Sequence, residues 1–275
     1  MQSPPADLTE CLGPEIRAKL TALQAEIDAD RARLPVVFPG LPRRLGRHPV
    51  GGGRSALAAG TIDLDAFRVC DLGAAWLLLA VGASDDELRD LMAHGDLEER
   101  AMLLRAMHVL PLGAVTVEFL GEAQRTNVVL HVEAAVCDGD LVARAIGQPG
   151  FDLEVANKLI LKYGFLGLPL ERAIGLEQHA NIELSRMLQD LATEREAAGR
   201  AVWRDTWRLS GRAPTAGTAA RLVGGLEHGD DGVRAAAAEG LFALGRPDLA
   251  QFAAERLPRE PRGEIRALLE RLTNA

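Results

Sequence analysis

The spacing of apolar residues constrains this chain more than any other feature. They recur three and four positions apart between acidic, hydroxyl or amide caps along most of the sequence, and no segment shows the sustained alternation of a strand. An all-α fold is therefore expected. Composition agrees: alanine, leucine and arginine dominate, only 4% of residues are aromatic, and Tyr163 is the sole tyrosine, a bias away from strand formers. A chain of 275 residues, 48% of them hydrophobic, can bury a self-sufficient core without covalent staples.

The helices can be placed from their caps. Pro14 to Arg33 reads as the first, with proline in its opening turn and Ile16, Leu20, Leu23, Ile27 and Leu34 in register. Pro35 to Gly60 interrupts the pattern with four prolines and Gly51 to Gly53, and is expected to be irregular. Arg43, Arg44, Arg47 and Arg54 fall there with no acid before Asp63, making it the one basic segment, either a solvated loop or a clamp over an anion. Asp63 is expected to cap a helix to about Val81, Ser84 a second with Asp85, Asp86 and Glu87 in its first turn, and Asp96 a third ending near Pro111. A fourth spans Thr116 to Val136. Asp152 starts a helix through Phe165, and Asn181 caps one ending at Gly199. Beyond Pro214, helical stretches break at Gly229, Pro247 and Pro258.

One motif repeats. His94-Gly95-Asp96 followed by Arg100-Ala101 returns with the same spacing as His228-Gly229-Asp230 followed by Arg234-Ala235. The later copy, with Ala237-Ala238 and Leu241, is similar to HEAT-like repeats, which implies a right-handed, solenoid-like stack of helical hairpins.

Several classes are excluded or disfavoured. The net charge of −8 opposes general attraction to nucleic acid or anionic lipid. The apolar run Ala74 to Ala83 around Trp76 is too short to span a membrane and reads as a core helix. Met1 to Glu10 lacks the pattern of a secretory signal, and Cys11, Cys70 and Cys137 form no CxxC pair, so reduced thiols and a cytoplasmic location are expected. No phosphate loop, dinucleotide fingerprint, HExxH or GxSxG occurs. His131-Val132-Glu133 imitates half of a zinc deaminase signature, but the second half is missing.

The remaining signal is the scarcity of lysine. Lys158 and Lys162, two of only three lysines, lie four apart on one expected helix, where a carboxylate or bound anion would relieve their repulsion. Downstream, Arg186, Asp190, Glu194 and Arg195 recur at helical spacing, and Arg200, Trp203, Arg204 and Trp207 follow; arginine beside tryptophan makes either internal packing or a ligand platform.

Asn157-Lys158-Leu159-Ile160-Leu161-Lys162, Pro169-Leu170, Ile174-Gly175-Leu176, Asn181-x-x-Leu184-x-x-Met187-Leu188 and Glu194-Arg195-x-Ala197-Ala198-Gly199-Arg200 resemble the EboA-type proteins. Gln124-Arg125-x-Asn127 and Glu133 fit less tightly, and the resemblance runs from about Asp63 to Gly211. Ala156, where the family usually has tryptophan, and Leu166-Gly167-Leu168 depart from it. The resemblance implies a helical protein linked, in bacteria, to trafficking or processing of small natural-product precursors, without naming a reaction.

The expected organisation is an N-terminal helix and basic loop over 1–62, an EboA-like helical domain over 63–211 and a HEAT-like segment over 212–275. The leading functional expectation is a protein that binds or hands over a small metabolite, with no cofactor. Asn157, Lys158, Lys162, Arg186, Asp190, Glu194, Arg195, Arg200 and Trp203 are its candidate ligand-binding residues, in a groove between the Asp152 and Asn181 helices. One alternative is an enzyme: Asp85, Asp86 and Asp90, with Asn181, Ser185 and Gln189, resemble the two magnesium-diphosphate motifs of class I terpene cyclases, although Gln189 replaces the expected acid. Magnesium is expected only there. Another alternative is a scaffold for other pathway proteins.

Overall fold

The computed structural model describes residues 4–274, so residues 1–3 of the polar amino-terminal stretch lie outside the described residues. The fold is helical apart from one small two-stranded sheet. The chain forms two compact units: Met1–Leu159 with Glu171–Leu176, and Ile160–Leu170 with Glu177–Ala275. The division falls within the Leu153–Leu166 helix.

In the first unit the apolar run becomes the Val69–Ala80 helix, nearly all of it buried. Pro14–Ala29, Leu41–Leu45 and Leu97–Ala106 pack around it, and Val129–Val136 packs on Leu97–Ala106. Its tryptophan, Trp76, stays in the core because the indole Nε1 donates to Thr9 Oγ1 at 3.1 Å, which satisfies the ring's one polar group. Cap positions match the sequence at Ser84 and Asp96. Each accepts a hydrogen bond from the backbone N–H three residues on, and Glu87 and Glu99 reciprocate.

Four expectations need correction. Pro35 to Gly60 is not irregular throughout. It contains the short helices Leu34–Val37 and Leu41–Leu45, joined by a 3-10 turn, with prolines in first-turn positions that need no N–H donor. Leu34, Val37, Phe38, Leu41 and Leu45 are buried, so packing holds the segment. The same region ends in a hairpin, Arg54–Leu57 paired antiparallel with Gly60–Asp63. Strands this short show no alternation that a sequence can reveal. Much of their fixing comes from far along the chain, where Asp140 N donates to Thr61 O (3.0 Å), Asp140 Oδ2 accepts from Thr61 N (2.9 Å) and Asp138 O accepts from Asp63 N (2.8 Å). Asp63 therefore closes a strand and caps no helix; the helix starts at Val69, where the Asp71 carboxylate accepts from Arg68 N at 3.0 Å. Finally, Thr116 to Val136 divides into Ala114–Arg125 and Val129–Val136, with extended Thr126 between and its Oγ1 accepting from Val128 N.

In the second unit Asn181 caps Ile182–Ala197 as expected, and Gly199 follows at φ +64°. Thr206–Arg212, Thr218–Gly225, Asp231–Leu244, Ala250–Arg256 and Gly263–Thr273 complete it. Leu222, Leu226, Ala235 to Ala238, Leu241, Ile265 and Leu269 form its core with Trp207. The Thr206–Arg212 and Asp231–Leu244 helices touch backbone to backbone. A Cβ at Gly211 would collide with the carbonyl of Gly240, and one at Gly240 would come within 2.9 Å of Trp207 O. Glycine is required there for close approach.

Candidate functional site

The structure places most of the sequence-marked residues in local ionic or packing roles. Lys158, 48% exposed, pairs with Glu154 at 2.7 Å, which raises its pKa, chiefly through that hydrogen bond. Arg186, 56% exposed, pairs with Glu183 (2.6 Å) and Asp190 (2.7 Å) on its own helix. Arg195 Nε donates to Ala201 O, and its guanidinium lies 5.8 Å from the Phe165 ring centre. Glu194 and Arg200 are exposed, Lys162 is partly buried and Asn157 is buried. Trp203 is a packed residue: its ring lies on Gly164, where any Cβ would overlap it, stands edge-on to Tyr163, and donates to Leu168 O at 2.8 Å. Asn157 and Lys158 belong to the first unit and Lys162, Arg186, Asp190, Glu194, Arg195, Arg200 and Trp203 to the second.

The diphosphate-like motifs are likewise engaged locally. Asp85 opens its helix, Asp86 pairs with Arg89 (2.8 Å), and Asp90 faces His94 (3.0 Å). Asn181 Oδ1 accepts from Leu184 N. Gln189 Nε2 shares its two N–H donors among Ser185 Oγ, Thr215 Oγ1 and Thr218 Oγ1, a partly buried amide–hydroxyl cluster. The two motifs lie in separate units. Among the described residues no group of three or more His, Cys, Asp or Glu side chains is arranged to hold a metal ion. His131 of the partial deaminase motif meets Leu97 O through Nε2 (3.0 Å), and Glu133 pairs with Arg172.

The first unit contains an ionic centre that the sequence does not reveal. Asp71, fully buried, takes Arg68 through its Nε and Nη2, and Arg105 stands 3.9 Å away. Asp138, also buried and at φ +66°, takes both Nε (3.0 Å) and Nη2 (2.8 Å) of Arg172, a bidentate pair. Arg144 donates to Asp140 Oδ1 and to His108 O, each at 2.7 Å. His108 is completely buried, with Nε2 at 3.0 Å from Ala134 O, so that nitrogen carries the proton of a neutral ring; burial pushes its pKa down to about 4. Paired charges and bidentate bonds close this centre. It fastens the hairpin and the Arg172 turn rather than presenting a reactive group.

The first unit also has an open-sided cleft of about 370 Å³. The end of the Val69–Ala80 helix supplies Leu78 and Leu79, the turn Gly82 and Ala83, the next helix Leu88, and the segment after Ala106 supplies Met107, Leu110, Pro111, Leu112 and Val115. Gly82 at φ +58° permits the reversal that forms one wall. Asp85 is the only ionisable side chain in the lining, and the volume falls in the roughly 300–1,000 Å³ range of small-molecule sites.

The protein is helical, and its first unit offers a recess lined mainly by aliphatic side chains. The family model that matches residues 59–211 is the metabolite traffic protein EboA. The match covers more than half of the chain, and the protein belongs to the EboA family. No curated protein and no solved structure matches it.

Proposed function

We propose that this EboA-family protein binds a small, largely apolar natural-product precursor in the Leu78–Val115 cleft and hands it to the next protein of its pathway without converting it. The observation that carries this reading is the cleft itself, which lies inside the family-matched residues and whose lining side chains are aliphatic apart from Asp85. Such a lining shields an apolar molecule from water, at about 25 cal/mol per Å² of apolar surface covered. The single carboxylate of Asp85 has no nucleophile–base partner within the lining, so the chemistry supported is holding and release.

Filling the recess tests this. Protein purified from the native host should carry a small molecule detectable by mass spectrometry of its extract, and Ala83→Trp should abolish it and reduce pathway output at unchanged protein level. The Lys158→Ala plus Lys162→Ala variant should leave both intact. Full output from Ala83→Trp would remove the cleft from the pathway.

A further inference from the structure

The second unit carries a groove of a different character along Asp231–Leu244 and Gly263–Thr273, and we infer that it is a binding site for a soluble anionic amphiphile, a phosphate head on a short apolar chain. This inference is independent of the first unit's cleft.

The head end is a recess of about 420 Å³ into which Arg208, Arg212 and Arg271 converge. Arg208 and Arg212, one helical turn apart, share a single carboxylate, Glu177; Arg208 uses Nε and Nη2 on it and Arg212 uses Nε alone at 2.6 Å. Arg208 Nη1 and both Nη groups of Arg212 have no protein acceptor among the described residues. A guanidinium has five N–H donors, so one carboxylate cannot satisfy two of them. Glu239, the other acid lining the recess, is occupied by Arg204, and Arg271 has no carboxylate partner among the described residues. Arg204, Arg208, Arg212 and Arg271 against Glu177, Glu239 and Asp205, the last of which also acts on Arg208, leave a small local excess of positive charge on a chain whose net charge is −8, suited to bidentate recognition of phosphate.

The tail end adjoins it. Leu241, Pro247, Leu249, Ala250 and Leu272 line a recess of about 190 Å³ together with Arg246, whose guanidinium is paired with Asp248, and Phe242 lines both recesses. Phe242 is 44% exposed, and the Arg271 guanidinium lies 4.5 Å from its ring centre. One aromatic ring thus separates a pocket with arginines in excess from one that is mainly aliphatic, its single arginine being neutralised by Asp248. A free phosphate would use only the first and a neutral hydrocarbon only the second; an amphiphile uses both.

Calorimetry on the full chain with decyl phosphate below its micelle concentration, inorganic phosphate and decanol tests the assignment. Decyl phosphate should bind at least tenfold more tightly than either half-ligand. Arg212→Gln plus Arg271→Gln should weaken it at least tenfold, and Arg271→Gln alone, which breaks no ion pair among the described residues, should weaken it measurably. Leu249→Ala, at a residue that lines the apolar recess and not the arginine recess, should lower affinity for decyl phosphate while leaving that for inorganic phosphate unchanged. Ala83→Trp, which fills the first unit's cleft, should have no effect. Equal affinity of the wild type and the double arginine variant would overturn the site. So would loss of binding in Ala83→Trp, or co-sedimentation with vesicles of phosphatidic acid and phosphatidylcholine in the absence of monomer binding.

Discussion

The two His-Gly-Asp turns share a sequence and a local geometry, and they end in different energetic roles. Asp96 Oδ1 accepts from Glu99 N at 2.9 Å and Asp230 Oδ1 from Val233 N at 3.0 Å. In each, the arginine four residues after the cap reaches back to the turn: Arg100 to Gly95 O and Ala93 O, Arg234 to His228 O and Gly229 O. There the likeness stops. Arg100 is half-buried and ends at those carbonyls, with no carboxylate partner among the described residues. Arg234 is 4% exposed and also donates to Glu260, which is buried and shared with Arg256, and to Asp231, which Arg262 also pairs. The repeated motif specifies a capped turn with an arginine staple. Whether the staple becomes the centre of a buried ion cluster depends on what packs over it.

Removing the buried acid should separate the two turns most. Glu260→Gln should destabilise the second unit by about 3–5 kcal/mol, because Arg234 is left charged and under-compensated in a desolvated position. Arg234→Met with Glu260→Leu together should recover most of that loss in urea unfolding. An additive result for the double variant would show that the pair is not the source of the cost.

Acid should distinguish the units next. His108 has a folded pKa near 4 against an ordinary value of 6.5, so the unfolded chain binds a proton first and stability falls as pH drops from about 6.5 to about 4. A shift of that size corresponds to at most about 3.5 kcal/mol. The hydrogen bond from Arg234 holds Glu260 down to about 2, so the second unit's matching loss comes lower, as pH falls from about 4.5 to about 2. Hydrogen exchange followed against pH should show the first unit loosening earlier, and His108→Gln should flatten that early slope.

Smaller effects test the shared part. Asp96→Ala and Asp230→Ala should each cost about 1 kcal/mol, nearly equally, since each removes one cap bond. Arg100→Met should also cost roughly 1 kcal/mol, the net worth of exchanging its hydrogen bonds with water. A loss at Arg100 as large as that at Glu260 would mean that the turns are equivalent after all.

Legibility followed the range of the interactions. Ser84, Asp96 and Asn181 could be read as caps because the groups that they satisfy lie three residues away. The hairpin at Arg54–Asp63 could not, since its backbone partners include Asp138 and Asp140. At the site, Lys158, Arg186 and Trp203 were visible as unusual residues, but composition cannot tell an arginine that meets its own helix from one facing a ligand. Asp71, Arg105, Asp138 and Arg172 gave no signal at all, being ordinary charged residues until folding brings them together. Phe242 and Arg271 are 29 positions apart in the chain, and only packing sets one over the other.

By itself, the sequence determined helical content, most caps, the core run around Trp76, the repeated turn and the EboA resemblance, because each depends on residues within a turn or two or on an ordered local motif. Tertiary structure alone decided the buried ionic centre, the apolar cleft and the arginine–phenylalanine groove. Their energies depend on desolvation and on charges and ring faces meeting within a few ångströms, and such distances exist only once remote segments have packed.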